Sequence, residues 1–276
     1  MKYSLKRNSF YYNIRYVLGK KKKSIYEFFE HILFKKSLKQ SILPFRDKYK
    51  GKRCFIIGNG PSLNSMNLNL MKDDFVFCSN SFFLKFQSLA FKPNIITVED
   101  HLVAEDNKRQ LEDLDEIIKI FPFDLRKTIV KDSNTIWIEL RRAFKNINKE
   151  KTFKFNTKSE IFYWGGTVLY MNLQLAAYMG FKEIYLIGVD LSYNIPKDAI
   201  INGSVITSQS DDPNHFDPVY FGKGKRWHIP ETERMQVSFS TAYRELNKNG
   251  VKLFNATKGG NLQEIPRVNY NDLFNV

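Results

Sequence analysis

The amino-acid sequence predicts an α/β protein with a mostly parallel sheet, helices on both of its faces and a basic helical segment at the N-terminus. Three observations carry that expectation. From Gly51 onward short apolar runs alternate with helix-length segments, and the runs are nearly continuous in apolar residues. The main runs also end on glycine, asparagine or a carboxylate. Strands buried on both faces read this way, and crossover helices are what join parallel neighbours.

The N-terminal segment comes first. Residues 1–53 hold 16 Lys/Arg against Glu27, Glu30 and Asp47, and the rest of the chain holds 27 against 26. The net charge of +14 therefore belongs to this segment, which excludes a basic nucleic-acid groove across the body. Lys20–Lys23 precede Ile25, Phe28, Phe29, Ile32 and Leu33, which share one helix face, and Lys35, Lys36 and Lys39 follow. Such a stretch fits a helix lying on an anionic membrane surface through residues 20–39, or one packed on the body with its lysines in water. Residues 1–50 are thus read as an amphipathic helical segment and 51–276 as the main domain.

Within that domain Arg53–Ile57, Phe75–Cys78 and Asn94–Val98 read as the first three strands, with weaker strands at Ile117–Ile120 and Thr135–Ile138. Val168, Met171, Leu175, Ala176 and Met179 recur at helical spacing over Thr167–Met179, and Gly180 is the stop signal. Glu183–Ile187 is the next strand, Thr232–Asn247 a second helix ending near Gly250, and Lys252–Phe254 the last strand. Residues 194–230 form a long connection of the kind that serves as a lid. Cys54 and Cys78 supply neither a disulfide framework nor a zinc cluster, which points to a reducing compartment. No run reaches membrane-spanning length and no signal peptide is legible, so the expected location is cytoplasmic, or peripheral on the inner membrane.

The first strand runs into Gly58-Asn59-Gly60-Pro61-Ser62, a turn opening what reads as a helix. Its glycines permit positive φ and close approach of a ligand, and its amides and the Ser62 hydroxyl suit a phosphate or a sugar nucleotide. The dinucleotide spacing G-x-G-x-x-G is not met. Ligands of open α/β sheets bind beyond the carboxyl ends of the strands. That edge would also collect Ser79-Asn80, Glu99-Asp100, Gly165-Gly166-Thr167 and Gly188-Val189-Asp190. His215 and His228 lie in the 194–230 segment with Lys223, Lys225 and Arg226. A histidine suits removal of a proton from an acceptor hydroxyl, and the cations suit an anionic donor. No D-x-D motif stands at a strand end, so no metal is expected to be essential.

Taken together, Gly58-Asn59-Gly60-Pro61-Ser62-Leu63, Ser79-Asn80 and Gly180-Phe181-Lys182-Glu183-Ile184-Tyr185-Leu186-Ile187-Gly188-Val189-Asp190 resemble bacterial sialyltransferases of the lipooligosaccharide family. They are similar too to a wider superfamily with archaeal 6-hydroxymethylpterin pyrophosphokinase-like (MptE-like) and flagellin glycosylation proteins. The likeness runs from about Gly51 to Asn255 and is poor over 101–160. The motifs are specific to the superfamily and less so to sialyl transfer.

The resemblance implies a Rossmann-like glycosyltransferase that moves an acidic, sialic acid-like sugar from a CMP-sugar donor to a surface glycan or lipid-linked acceptor. It implies no cofactor beyond that donor. By the resemblance Asn59, Gly60, Ser62 and Asn80 meet the nucleotide and sugar, Gly166 and Thr167 reach the cytidine monophosphate, and Gly188 and Asp190 sit at the nucleotide. Tyr193, one residue out of register, would hold the leaving phosphate. The family's His-Tyr-x-Gly-His context is altered: Lys223 follows Gly222 where the second histidine would stand, which leaves His228 and His215 both as candidate bases. One alternative is a Mg²⁺-dependent pyrophosphokinase using Asp100, Asp190, Asp211 and Asp212; another is a non-catalytic nucleotide-binding protein of capsule assembly. A homo-oligomer is compatible with either.

Overall fold

The computed structural model describes residues 34–142 and 154–276. Its centre is an eight-stranded sheet in the order β11-β7-β1-β2-β3-β4-β5-β6, in which every pairing is parallel. The strands are β1 (Arg53–Ile57), β2 (Phe75–Ser79), β3 (Ile95–Thr97), β4 (Ile118–Pro122), β5 (Thr135–Arg141), β6 (Ile161–Tyr163), β7 (Glu183–Ile187) and β11 (Lys252–Asn255). The continuous apolar runs have the expected cause. In β1, Cys54 and Ile56 join the core on one face while Phe55 and Ile57 join the core on the other.

The first face is covered by α4 (Val168–Tyr178) and α5 (Thr232–Lys248). Thr167 caps α4 by accepting from the Leu169 amide. The second face is covered by α2 (His101–Asp106), α3 (Lys108–Glu112) and several 3₁₀ segments. One of these, Pro61–Ser65, replaces the helix expected after the glycine turn. It is five residues long, so the β1–β2 crossover offers no helix terminus to a ligand.

The helix α1 (34–42) buries Leu38 and Ile42 against the body and leaves Lys35 and Lys36 exposed. Residues 47–51 then bond along the end of α4, with the Tyr49 amide donating to Met179 O. The apolar stripe Ile25–Leu33 lies outside the described residues. No helix among the described residues is long and apolar enough to cross a membrane.

Sequence reading missed β6 and a second, antiparallel sheet of β8 (Ile200–Asn202), β9 (Val205–Thr207) and β10 (Arg226–His228). These strands have three residues each, too short for periodicity to register. The 194–230 segment is therefore partly built structure rather than an open loop.

The order of the large sheet has one consequence for function. From β1 the chain adds β2 through β6 on one side, then returns to place β7 on the other side of β1. The crossovers diverge at β1 and β7, and a crevice opens outside their carboxyl ends.

Candidate functional site

A cavity of about 90 Å³ occupies that crevice, lined by Gly58, Asn59, Gly60, Asn80, Thr167, Gly188, Asp190, Tyr193, Asn214, His215 and Tyr220, with Val168, Leu169, Val189, Leu191, Ser192, Met235 and Phe239. The glycine turn is laced to the exit of β7: the Gly58 amide donates to Ile187 O and the Gly60 amide to Gly188 O. Two expectations are thereby corrected. These amides are spent on backbone carbonyls, and neither glycine has positive φ. Glycine is needed for proximity instead, because a Cβ on Gly60 would lie 1.8 Å from Asp190 Oδ2 and one on Gly58 2.3 Å from Gly188 O. The Ser62 hydroxyl is likewise engaged, donating to Asp190 Oδ2 at 2.7 Å.

Other polar atoms in the cavity have no partner. Asn59 donates through Nδ2 to Ser79 Oγ, but its Oδ1 is buried and unpaired. Asn80, held at φ 54° just beyond β2, also leaves Oδ1 buried without a hydrogen bond. The Tyr220 hydroxyl is buried near the Asn80 side chain and Ser81 without a well-formed bond to either, and burial holds its pKa far above the usual phenol value. Unpaired buried polar atoms are costly, and here three are gathered in one crevice.

The 194–230 segment brings His215 into this cavity. Its ring stacks on Tyr220 with centroids 4.0 Å apart, and Phe221 meets it edge-on. His215 Nδ1 lies 2.6 Å from Asp212 Oδ2, and the same carboxylate accepts from the Phe221 and Asn214 amides. In a neutral imidazole a carboxylate on Nδ1 favours the tautomer protonated there, which leaves the lone pair on Nε2. The segment is itself held down: the Phe216 amide donates to Asn59 O, Asn64 to Phe216 O, and the Asn194 amide to Asn214 Oδ1.

His228, Arg226 and Lys223 are not brought together with these groups. His228 pairs through Nδ1 with Asp100 at 2.6 Å and is 48% exposed, against 11% for His215. Asp100 also caps α2 by accepting from the Leu102 and Val103 amides. Arg226 forms ion pairs with Asp106 and Glu105, which hold its pKa above the usual guanidinium value. Lys225 donates to Asp106 O and Asn107 Oδ1, while burial lowers its pKa. These cations fasten the small sheet to α2, where the sequence suggested an anionic ligand. Lys223 and Pro61 are exposed. Gly166, at φ +83°, stands beside Thr167 and packs under Arg234.

Tyr220, Asn214 and the orienting role of Asp212 were missed from sequence. The only local sign was Asp212 three residues before His215.

With this geometry in view, three comparisons bear on the chain. The model of the family described as 6-hydroxymethylpterin diphosphokinase MptE-like matches residues 30–196. That stretch includes the glycine turn, Asn80, Thr167, Asp190 and Tyr193 and stops before His215. Among solved structures the chain is similar to the MAf glycosyltransferase from Magnetospirillum magneticum AMB-1, at 13% identity and a TM-score of 0.48. The match covers 81% of this chain but only 35% of that one, and a likeness of this grade carries no argument about activity. No curated protein matches.

Proposed function

The chain belongs to the family of 6-hydroxymethylpterin diphosphokinase MptE-like proteins, and from that premise we propose that it is a glycosyltransferase using a nucleoside monophosphate-linked sugar. The donor is an acidic sugar carried on CMP, and the acceptor is a hydroxyl of a surface glycan or lipid-linked saccharide. His215 acts as the general base. Held by Asp212, it takes the acceptor proton at Nε2 as the acceptor oxygen attacks the anomeric carbon. The bond from that carbon to the phosphate oxygen breaks, the nucleotide leaves with the electron pair, and the configuration inverts.

One observation carries this choice: among the described residues the cavity offers oxygen acceptors and a histidine, but no lysine or arginine. Asn59 Oδ1, Asn80 Oδ1 and the Asp190 carboxylate suit the hydroxyl and amine hydrogens of a sugar or a base. A triphosphate would bring about four negative charges, against about two for the acidic sugar on CMP, into a crevice whose lining supplies a carboxylate, so the lining disfavours the triphosphate more. The competing reading, Mg²⁺-dependent pyrophosphoryl transfer, needs carboxylates for the metal. Of those suggested by sequence, Asp190 lines the cavity, Asp212 holds His215, Asp100 holds His228 and Asp211 is exposed.

A cavity of about 90 Å³ is well below the roughly 300–1,000 Å³ of a site for such a ligand. Donor entry on this reading therefore requires the His215 segment to lift from the glycine turn. The basic stretch 20–39 would keep the enzyme at an anionic membrane surface near its acceptor.

The test is a thermal-shift and calorimetric screen of CMP, CDP, UDP, GDP and ATP, each with and without Mg²⁺. A cytidine nucleotide is expected to stabilise the protein most, independently of Mg²⁺. Preference for ATP with Mg²⁺ would overturn the reading in favour of pyrophosphoryl transfer.

A further inference from the structure

The cavity lining has no cation among the described residues, yet any activated sugar donor carries negative charge. The N-terminal turn of α5 supplies a cation beside it. Arg234 lies across the turn Gly165-Gly166-Thr167, and a Cβ on Gly166 would sit 3.2 Å from Arg234 Cδ. On either side of this contact, Thr167 and Met235 both line the cavity. The guanidinium carbon stands 5.3 Å from the centre of the Trp164 ring, a placement that steadies a planar cation.

Its hydrogen bonds are incomplete. The two terminal nitrogens are taken by Glu231, Nη1 donating to Oε1 and Nη2 reaching Oε2, each at 2.9 Å. Nε is buried and has no partner. Arginine grips an oxyanion best through two parallel N–H groups, and the edge containing Nε is the one left idle. Glu231, with its side chain 56% exposed, is an outer partner that a ligand can replace at small cost because water can solvate it. A buried idle donor on an arginine is unfavourable, so a site that keeps one beside an otherwise cation-free cavity has a use for it.

We propose that Arg234 is the specificity-determining residue for a negatively charged donor, binding an oxyanion of the ligand seated in the cavity through Nε–H and a terminal N–H. The oxyanion is the sugar's carboxylate or the nucleotide's phosphate. This assignment rests on the glycosyl-transfer reading for the identity of the ligand, though not for the presence of an anion.

Calorimetry with CMP, CMP-N-acetylneuraminic acid, UDP-N-acetylglucosamine and ATP with Mg²⁺, on the full chain and its Arg234→Ala and Arg234→Lys variants, tests it. The variants' melting temperatures report whether they remain folded. Arg234→Ala is expected to weaken binding by about 10- to 100-fold, and Arg234→Lys to recover only part of that loss. If CMP-N-acetylneuraminic acid alone is weakened, the oxyanion is the carboxylate; if CMP is weakened as much, it is the phosphate. The Nε–H resonance, assigned by its absence in Arg234→Lys, should move when the ligand binds. Binding to the native protein that is unchanged in folded Arg234→Ala, with a motionless Nε–H signal, overturns the assignment alone. ATP binding in place of cytidine nucleotides overturns the glycosyl-transfer reading while Arg234 is still judged by the variants. Failure of the native chain to bind any of the four overturns both.

Discussion

At the carboxyl edge of one sheet stand two polar constructions that look alike in sequence and behave differently in space. The cavity at β1 and β7 gathers Asn59, Asn80 and Tyr220 with buried polar atoms left unpaired, under a histidine whose second nitrogen is free. The contact between α2 and β10 is a clasp of Asp100, Asp106, Lys225, Arg226 and His228, in which each charged group meets a partner of this chain. Charges that satisfy one another hold a structure together and have little left for a ligand. Neutral groups left unsatisfied in a crevice are available to one. Hydrogen-bond accounting separates the two regions where residue type does not.

The largest test of this contrast concerns the two histidines. His215→Ala is expected to lower transfer by about 10²- to 10⁴-fold, whereas His228→Ala should stay within a few-fold, measured as CMP release from a sugar donor. The opposite ranking would show that the clasp, and not the cavity, holds the base. Next comes Gly60→Ala, whose Cβ would collide with Asp190 Oδ2. Asp190 must move, with an expected loss of about 1–3 kcal/mol in urea melts and no detectable nucleotide binding. An unchanged melt with full binding would show that the turn and β7 are less tightly coupled than the structure indicates.

Glu99, beside the clasp, sharpens the comparison because it departs from full pairing: its Oε2 is buried and unpartnered. Burial pushes its carboxyl up to about 7 from an ordinary 4.5, with Asp100 and Asp124 adding to the rise and Arg142 opposing it. A folded-state value above the unfolded one means that the native protein holds this proton more tightly. The stability it contributes is complete below about pH 4 and is lost as pH rises through about 7. Wild type should thus be less stable at pH 8 than at pH 5 by about 1–3 kcal/mol, and Glu99→Gln should remove that dependence. Parallel melts of the two proteins with the same pH dependence would count against a buried acid here.

The smallest expected effect is at Arg226. Its pairs are partly exposed, so Arg226→Ala should cost about 0.5–1 kcal/mol globally. Hydrogen exchange should nevertheless quicken in residues 200–228, because the small sheet loses a fastening to α2. Exchange that is unaltered there would show that Phe216, Tyr220 and Trp227, packed in the core, hold the segment without the clasp.

Much of this arrangement is legible in the sequence. The runs at Arg53–Ile57 and Glu183–Ile187 became strands with those boundaries, and Thr167 with Gly180 bracketed α4 as capping predicts. Gly58, Asn59, Gly60, Asn80, Thr167, Gly188, Asp190, Tyr193 and His215 were singled out and line one cavity. What escaped was local structure too short to show a period, such as β8 to β10, and every contact whose partners are distant in sequence. Arg226 with Asp106 and His228 with Asp100 are separated by 120 and 128 residues.

Residue order alone therefore determined the class of fold and the strand ends from which a site could be built, because apolar periodicity, capping and turn chemistry act within a few residues. Only the tertiary structure decided that β7 returns beside β1, that His215 rather than His228 enters the resulting crevice, and that Asn59, Asn80 and Tyr220 there keep idle atoms. The physical reason is that strand order and charge pairing are settled by which distant surfaces bury one another. A cation that seeks an anion looks the same in sequence whether the anion is a ligand or an aspartate of its own chain.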